Sequence, residues 1–139
     1  MLSDLIANSR VIYTNEDIVK SISVLATKLN DYYSGQEVAL LPVMTGVIPF
    51  AGQLLPQLDF NLVISYAHVS RYQNNLGQDE INEVYFPDKE YVSDKNLLVL
   101  DDIHDEGKTL NFIQEKLKSQ GARDIKSAVL FNKEIKNKI

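Results

Sequence analysis

The chain has 139 residues, 45% of them hydrophobic and 24% charged, which fits one domain (1–139) able to bury a core and excludes a disordered chain. Its formal charge of -5 excludes the broad basic face that a nucleic-acid backbone requires, so no nucleic acid is expected and any bound phosphate should be small and locally held. The absence of cysteine removes disulfides, thiolate metal sites and thiol nucleophiles, and fits a reducing, cytoplasmic compartment.

The opening stretch, MLSDLIANSRVIYTNED, has no basic region leading into an apolar one, and no window approaches membrane-spanning length, so neither targeting nor a membrane is expected. TNEDIVKSISVLATKLNDYY carries Ile18, Ile22, Leu25 and Leu29 at helical spacing, with Thr14 as N-cap and Glu16 and Asp17 in the first turn. After a turn at Ser34 and Gly35, VALLPVM reads as a buried strand, weakened by Pro42, which cannot donate to a ladder. IPFAGQLLPQL reads as a helix with Pro49 in its first turn, where a missing N–H costs little. NLVISYAHV and NEVYF read as strands, and the polar SRYQNNLGQDE between them as a mobile loop. LLVLD is a further strand, KTLNFIQEKLKSQG a helix with Leu110, Ile113 and Leu117 on one face and Gly121 past its end, and KSAVLF a last strand. Alternating strands and helices predict an α/β fold with a mostly parallel central sheet flanked by helices.

One stretch concentrates chemistry. In LLVLDDIHDEGKTL an apolar strand ends in Asp101 and Asp102, then Asp105, Glu106, Gly107, Lys108 and Thr109 lead into a helix. In open α/β sheets ligands gather beyond the carboxyl ends of the strands. Gly107 allows a tight turn, successive N–H groups at a helix start form an anion nest, and the Thr109 hydroxyl adds a donor. The loop thus offers donors for a phosphate at one end and acceptors at the other. Asp101 and Asp102 suit either ribose hydroxyls or a hard cation such as Mg²⁺. A single acid before a helix is ordinarily a cap; acids, glycine and hydroxyl within one turn argue for a ligand. Gly107-Lys108-Thr109 ends like a P-loop, but Asp102 stands where its first glycine is required. The acids also lack the spacing of a dehalogenase-type Asp-x-Asp nucleophile or of a receiver-type phosphoacceptor site.

VLDDIHDEGKTL resembles the phosphoribosyl pyrophosphate (PRPP) signature of type I phosphoribosyltransferases: apolar strand, two acids, then acid-x-Gly-x-Thr. LLPVMTGVIPFAGQLLPQLDFNLVISYAHVSRYQNN is similar to the corresponding stretch of bacterial hypoxanthine-guanine phosphoribosyltransferases, and DDIHDEG resembles their proteobacterial branch. The resemblance covers nearly all of the chain. It implies a Rossmann-like fold with a flexible active-site loop, and transfer of a phosphoribosyl group from PRPP to N9 of a 6-oxopurine with release of pyrophosphate. It also implies Mg²⁺ as cofactor and a homodimer or higher homo-oligomer.

Residue by residue, the resemblance implies that Asp101 and Asp102 face the ribose hydroxyls of PRPP and its Mg²⁺. The backbone from Asp105 to Thr109, with Glu106, Gly107, Lys108 and the Thr109 hydroxyl, would cradle the 5′-phosphate. Asp105 would act as general acid/base near N7 of the purine. Thr45 and Gly46 would bind pyrophosphate through backbone N–H groups, in a loop that in the family often contains a non-proline cis peptide. Arg71 and Tyr72 would belong to the closing loop. His68 and His104 have no spacing partner for a metal and read as structural or solvated.

The chain ends at AVLFNKEIKNKI, whereas the family continues into a segment carrying the lysine that reads the purine 6-oxo group and the aromatic that stacks on the base. Lys133, Lys136 and Lys138 are read as standing outside that purine-contact motif. Two readings follow: an enzyme of purine salvage, or a catalytically incomplete phosphoribosyltransferase-fold domain that binds PRPP or a nucleotide in a regulatory role.

Overall fold

Thr14 opens the helix that follows it in the way its neighbours require. Its hydroxyl accepts from the Asp17 N–H at 3.1 Å while the Asp17 carboxylate accepts from the Thr14 N–H at 3.0 Å, a reciprocal box on α1 (Asn15–Tyr32). This is a computed structural model, and it describes residues 7–133, so Lys136 and Lys138 lie outside the described residues. After α1 come β1 (Glu37–Met44), α2 (Ile48–Leu54), β2 (Asn61–Ile64), β3 (Ala67–Gln73), β4 (Asp79–Tyr85), β5 (Asn96–His104), α3 (Lys108–Ser119) and β6 (Asp124–Asn132). The sheet runs β4-β3-β1-β5-β6, with β2 also on β1, and among the described strands only the β3–β4 pair is antiparallel. No described helix is long and apolar enough to cross a membrane.

Both faces of the sheet are covered, so its central strands are apolar throughout rather than alternating with polar residues. On one face Val38, Leu40, Leu98 and Leu100 pack with Ile22 and Ala26 of α1 and Phe50, Ala51 and Leu54 of α2. On the other, Ala39, Leu41, Val43, Leu97 and Val99 pack with Leu110, Ile113 and Leu117 of α3. The period of two along β5 therefore sends successive side chains to opposite layers, and this continues into the acids at its end.

Pro42 stays within β1, and its missing N–H explains a break elsewhere. Leu40 faces Ile64 and Val43 faces Ala67 at the same offset, so β2 and β3 hold one register along β1, interrupted only opposite Pro42. NLVISYAHV is thus a continuous run that divides into two strands. Proline acts again at Pro56: α2 ends at Leu54 and continues as a 3-10 turn over Leu55–Gln57, since Pro56 has no N–H to give to the α ladder.

The segment read as an irregular loop, SRYQNNLGQDE, is mostly strand in the structure. Residues 70–73 and 79–80 are the arms of an antiparallel hairpin, pairing Ser70 with Asn82, Arg71 with Ile81, Tyr72 with Glu80 and Gln73 with Asp79. Its turn is held by the Asn74 side-chain oxygen, which accepts from the N–H groups of Leu76 (2.9 Å) and Gln78 (3.0 Å), and by Gly77 at φ +74°. Polar cross-strand pairs make these arms, so no apolar alternation announces them. The hairpin is tied to α3 by an ion pair between Lys116 and Glu83, and by Lys116 lying 4.5 Å from the ring centroid of Phe86.

Candidate functional site

The adjacent acids at the end of β5 part company because a strand alternates. Asp101 is buried at 9% exposure, and its Oδ1 accepts from the Asp102 N–H at 2.9 Å. Burial pushes the Asp101 carboxyl up from 3.8 to about 7, with Asp102 adding to the rise. Asp102 instead meets the loop between β1 and α2. A Cβ added to Gly46 would fall 2.6 Å from Asp102 Oδ2 and 3.1 Å from its Cγ, so only glycine lets that loop come so close. The peptide between Met44 and Thr45 in this loop is cis.

Beyond Asp105 the chain turns through Gly107, whose φ of +87° is left-handed, and enters α3. Among the described residues no side chain caps this helix, so its first N–H groups lie open at the positive end of the dipole. A cavity of about 320 Å³ opens here. The segment from Asp101 to Leu110 lines it on one side, with Met44, Gly46 and Arg71 on others. The structure thus brings Asp101, Asp102, Asp105, Glu106, Gly107, Lys108, Thr109, Gly46 and Arg71 together around one cavity. Thr45 and Tyr72 are outside its lining. Thr45 is exposed, its carbonyl accepting from Ile48 N–H at 3.2 Å, and the Tyr72 hydroxyl donates to Glu80 at 2.6 Å.

Among the described residues Arg71 and Lys108 are the Lys and Arg side chains lining the cavity, and each is shared between two carboxylates. The Arg71 guanidinium lies 3.3 Å from Asp79 and 3.0 Å from Glu106; the Lys108 ammonium lies 3.1 Å from Asp79 and 3.0 Å from Glu106. Lys108, with Arg71, holds the Glu106 carboxyl below its ordinary value, and the same pair lowers Asp79.

Sequence reasoning set Lys133 aside, and the structure brings it to the site. Its ammonium lies 3.3 Å from Asp105 Oδ1, and its N–H donates to the His104 carbonyl at 3.0 Å. The signal was available in outline: β6 runs parallel to β5, so the residue just after β6 arrives beside the acids that follow β5.

The described residues include no group of three or more His, Cys, Asp or Glu side chains able to hold a metal alone. Asp101 and Asp102 supply two carboxylates, a set that holds a hard cation only if a bound ligand or water completes the shell.

The model of the phosphoribosyl transferase domain matches residues 9–138, almost the whole chain. The chain belongs to the phosphoribosyl transferase domain family. It is 28% identical over 124 residues to a hypoxanthine-guanine phosphoribosyltransferase of Streptococcus agalactiae, a match spanning 89% of this chain and 69% of that protein. The solved hypoxanthine phosphoribosyltransferase of Staphylococcus aureus superposes with a TM-score of 0.77 at 25% identity, covering 90% of this chain and 68% of that one. A hypoxanthine-guanine phosphoribosyltransferase of Bacillus anthracis shares the fold, with a TM-score of 0.75 at 21% identity, covering 90% of this chain and 72% of that one. These relatives give the expected leaning toward the proteobacterial branch no support. The α/β fold with its mostly parallel sheet is the one the resemblance implied.

Proposed function

We propose that this phosphoribosyl transferase family member is a hypoxanthine-guanine phosphoribosyltransferase of purine salvage, joining a 6-oxopurine to the phosphoribosyl group of PRPP. The observation that carries this reading is the single cavity in which an uncapped helix start, a glycine turn and a carboxylate pair meet. Its relatives in the family bear the same activity in their names.

In this reading the N–H groups and the Thr109 hydroxyl at the start of α3 hold the 5′-phosphate. Asp101 and Asp102 accept from the ribose hydroxyls or hold Mg²⁺. The donor set fits that ion, because an uncompensated pair of carboxylates, one pushed up to about 7, gains from a divalent charge. Bound there, Mg²⁺ supplies charge neutralisation for the departing pyrophosphate. Gly46 and its loop give backbone N–H groups to that pyrophosphate.

As N9 of the base attacks C1′ and the bond from C1′ to pyrophosphate breaks, positive charge grows on the sugar, and the acids around it favour that charge. Asp105 takes the proton from N7 of the base. Lys133, held beside Asp105, offers the ammonium that a 6-oxo group accepts from, and a base edge entering there meets one acceptor and one donor. Arg71, on the hairpin, belongs to the segment that covers the reacting atoms. Exposed apolar side chains on β2 to β4, among them Val63, Ile64, Val84 and the stacked pair Tyr66 and Tyr85, support a homo-oligomer. The cytoplasm is the compartment proposed.

The test is formation of IMP from hypoxanthine, or GMP from guanine, with PRPP and Mg²⁺, by the purified chain and by Asp105→Asn. Turnover that falls at least a hundredfold in the variant supports the assignment. Binding of PRPP without turnover would leave only a binding domain, and no binding of PRPP would overturn the site.

A further inference from the structure

The four charges on the hairpin and the phosphate loop form a closed ring. Arg71 and Asp79 sit on the two arms of the hairpin, and Glu106 and Lys108 flank Gly107 at the start of α3. Each group meets two partners of opposite sign at 3.0 to 3.3 Å: Arg71 with Asp79 and Glu106, Lys108 with the same two. An isolated exposed ion pair does little, but a ring in which no charge moves without uncovering two others resists opening. The ring also borders the ligand cavity, which Arg71, Glu106 and Lys108 line. Arg71 and Lys108 line both that cavity and a second groove beneath the hairpin, where Asp79, Ile81 and Phe112 lie.

A phosphate at the start of α3 would arrive beside Glu106, a carboxylate inside the turn that is meant to hold it. It would also approach the two cavity-lining cations, both already engaged. We propose that Asp79 and Glu106 are internal competitors of the phosphate ester, a latch holding Arg71 and Lys108 until the ester draws them away, so that phosphate binding loosens the hairpin from α3. This rests on the phosphosugar reading above and adds a coupling between the site and its cover. The ring joins the hairpin to the loop through Arg71 to Glu106 and Lys108 to Asp79, and it also ties the two arms to each other through Arg71 and Asp79. Loosening therefore also frees the arms from each other, and their backbone amides exchange more readily. The remaining tie, Lys116 with Glu83 and Phe86, sits at the base of the arm and serves as the pivot.

The test titrates ribose 5-phosphate by calorimetry into the full chain and into Glu106→Gln and Asp79→Asn, near-isosteric changes at exposed positions. Hydrogen exchange is read at residues 70–73 and 79–82 with and without the ligand. A latch predicts affinity about tenfold higher in Glu106→Gln. Asp79→Asn should move the same way; removal of a negative charge alone also favours an anion, so the rise in hairpin exchange is what marks the latch. Exchange in the hairpin should rise when the ligand binds the unaltered chain, and should be high without ligand in both variants. Equal affinities in all three proteins, or a hairpin that becomes more protected on binding, would overturn the latch while leaving the phosphosugar site in place. If none of the three binds ribose 5-phosphate, the site reading fails and the latch fails with it.

Discussion

Replacing Asp101 with asparagine should make the protein more stable, by an amount that grows with pH. The side chain is 9% exposed, and its Oδ1 already accepts from the Asp102 N–H, a bond that the asparagine oxygen can keep. Burial beside Asp102 raises the carboxyl from 3.8 to about 7. A raised acid holds its proton in the folded state over a range where the unfolded chain has lost it. Stability is therefore fully present below about pH 4 and is lost as pH rises toward and through about 7. At about 1.4 kcal/mol per pKa unit, a rise of about three units sets a ceiling of roughly 4 kcal/mol. Of this, roughly 2–3 kcal/mol falls between pH 5 and pH 8. Asparagine carries no charge to titrate, so the difference between the two proteins isolates this group. Urea unfolding of both at pH 5, 6, 7 and 8 should show the variant gaining on the original by about that amount. A gap that stays constant within ~0.5 kcal/mol over this range would refute the assignment of Asp101 as a buried, costly carboxylate. The same variant should bind Mg²⁺ and PRPP less well, as expected where a site retains a charge that the fold alone would shed.

Other sites give shorter tests. Gly46→Ala sets a methyl 2.6 Å from Asp102 Oδ2, so the carboxylate or the loop must move. Thermal unfolding should show a loss of about 1–3 kcal/mol, with affinity for PRPP falling more than affinity for ribose 5-phosphate, which carries no pyrophosphate. Lys133→Met should raise KM for the base more than KM for PRPP, because its ammonium lies beside Asp105 and not at the start of α3; steady-state kinetics varying each substrate separates the two. Tyr33→Phe removes a hydroxyl that is buried without a hydrogen-bond partner among the described residues. Chemical denaturation should find the variant as stable as the original or up to about 1 kcal/mol more so, and a clear loss would mean that the hydroxyl is satisfied.

What the chain declares by itself is what depends on near neighbours. The cap at Thr14 and the apolar faces of α1 and α3 needed only spacing, and both helices formed where that spacing runs. The turn at Gly107 needed only a residue at ease with positive φ. The run from Asp101 to Thr109 is one contiguous piece, so half of the cavity's chemistry was legible as a string. The hairpin was not, because its arms are polar and are made strands by pairing across Asn74 and Gly77, not by an apolar pattern. Nor was the role of Pro42, whose effect falls on strands some twenty residues away through the register of the sheet.

Tertiary structure alone decided which distant residues share the cavity. Gly46 reaches Asp102 because β1 lies beside β5, and Arg71 reaches Glu106 because the hairpin folds over α3. Lys133 reaches Asp105 because β6 runs parallel to β5 and ends level with it. Local sequence sets the conformation of a segment through its own steric and hydrogen-bonding preferences. Which segments become neighbours depends on how the two apolar faces of the sheet are buried, and that is a property of the whole chain.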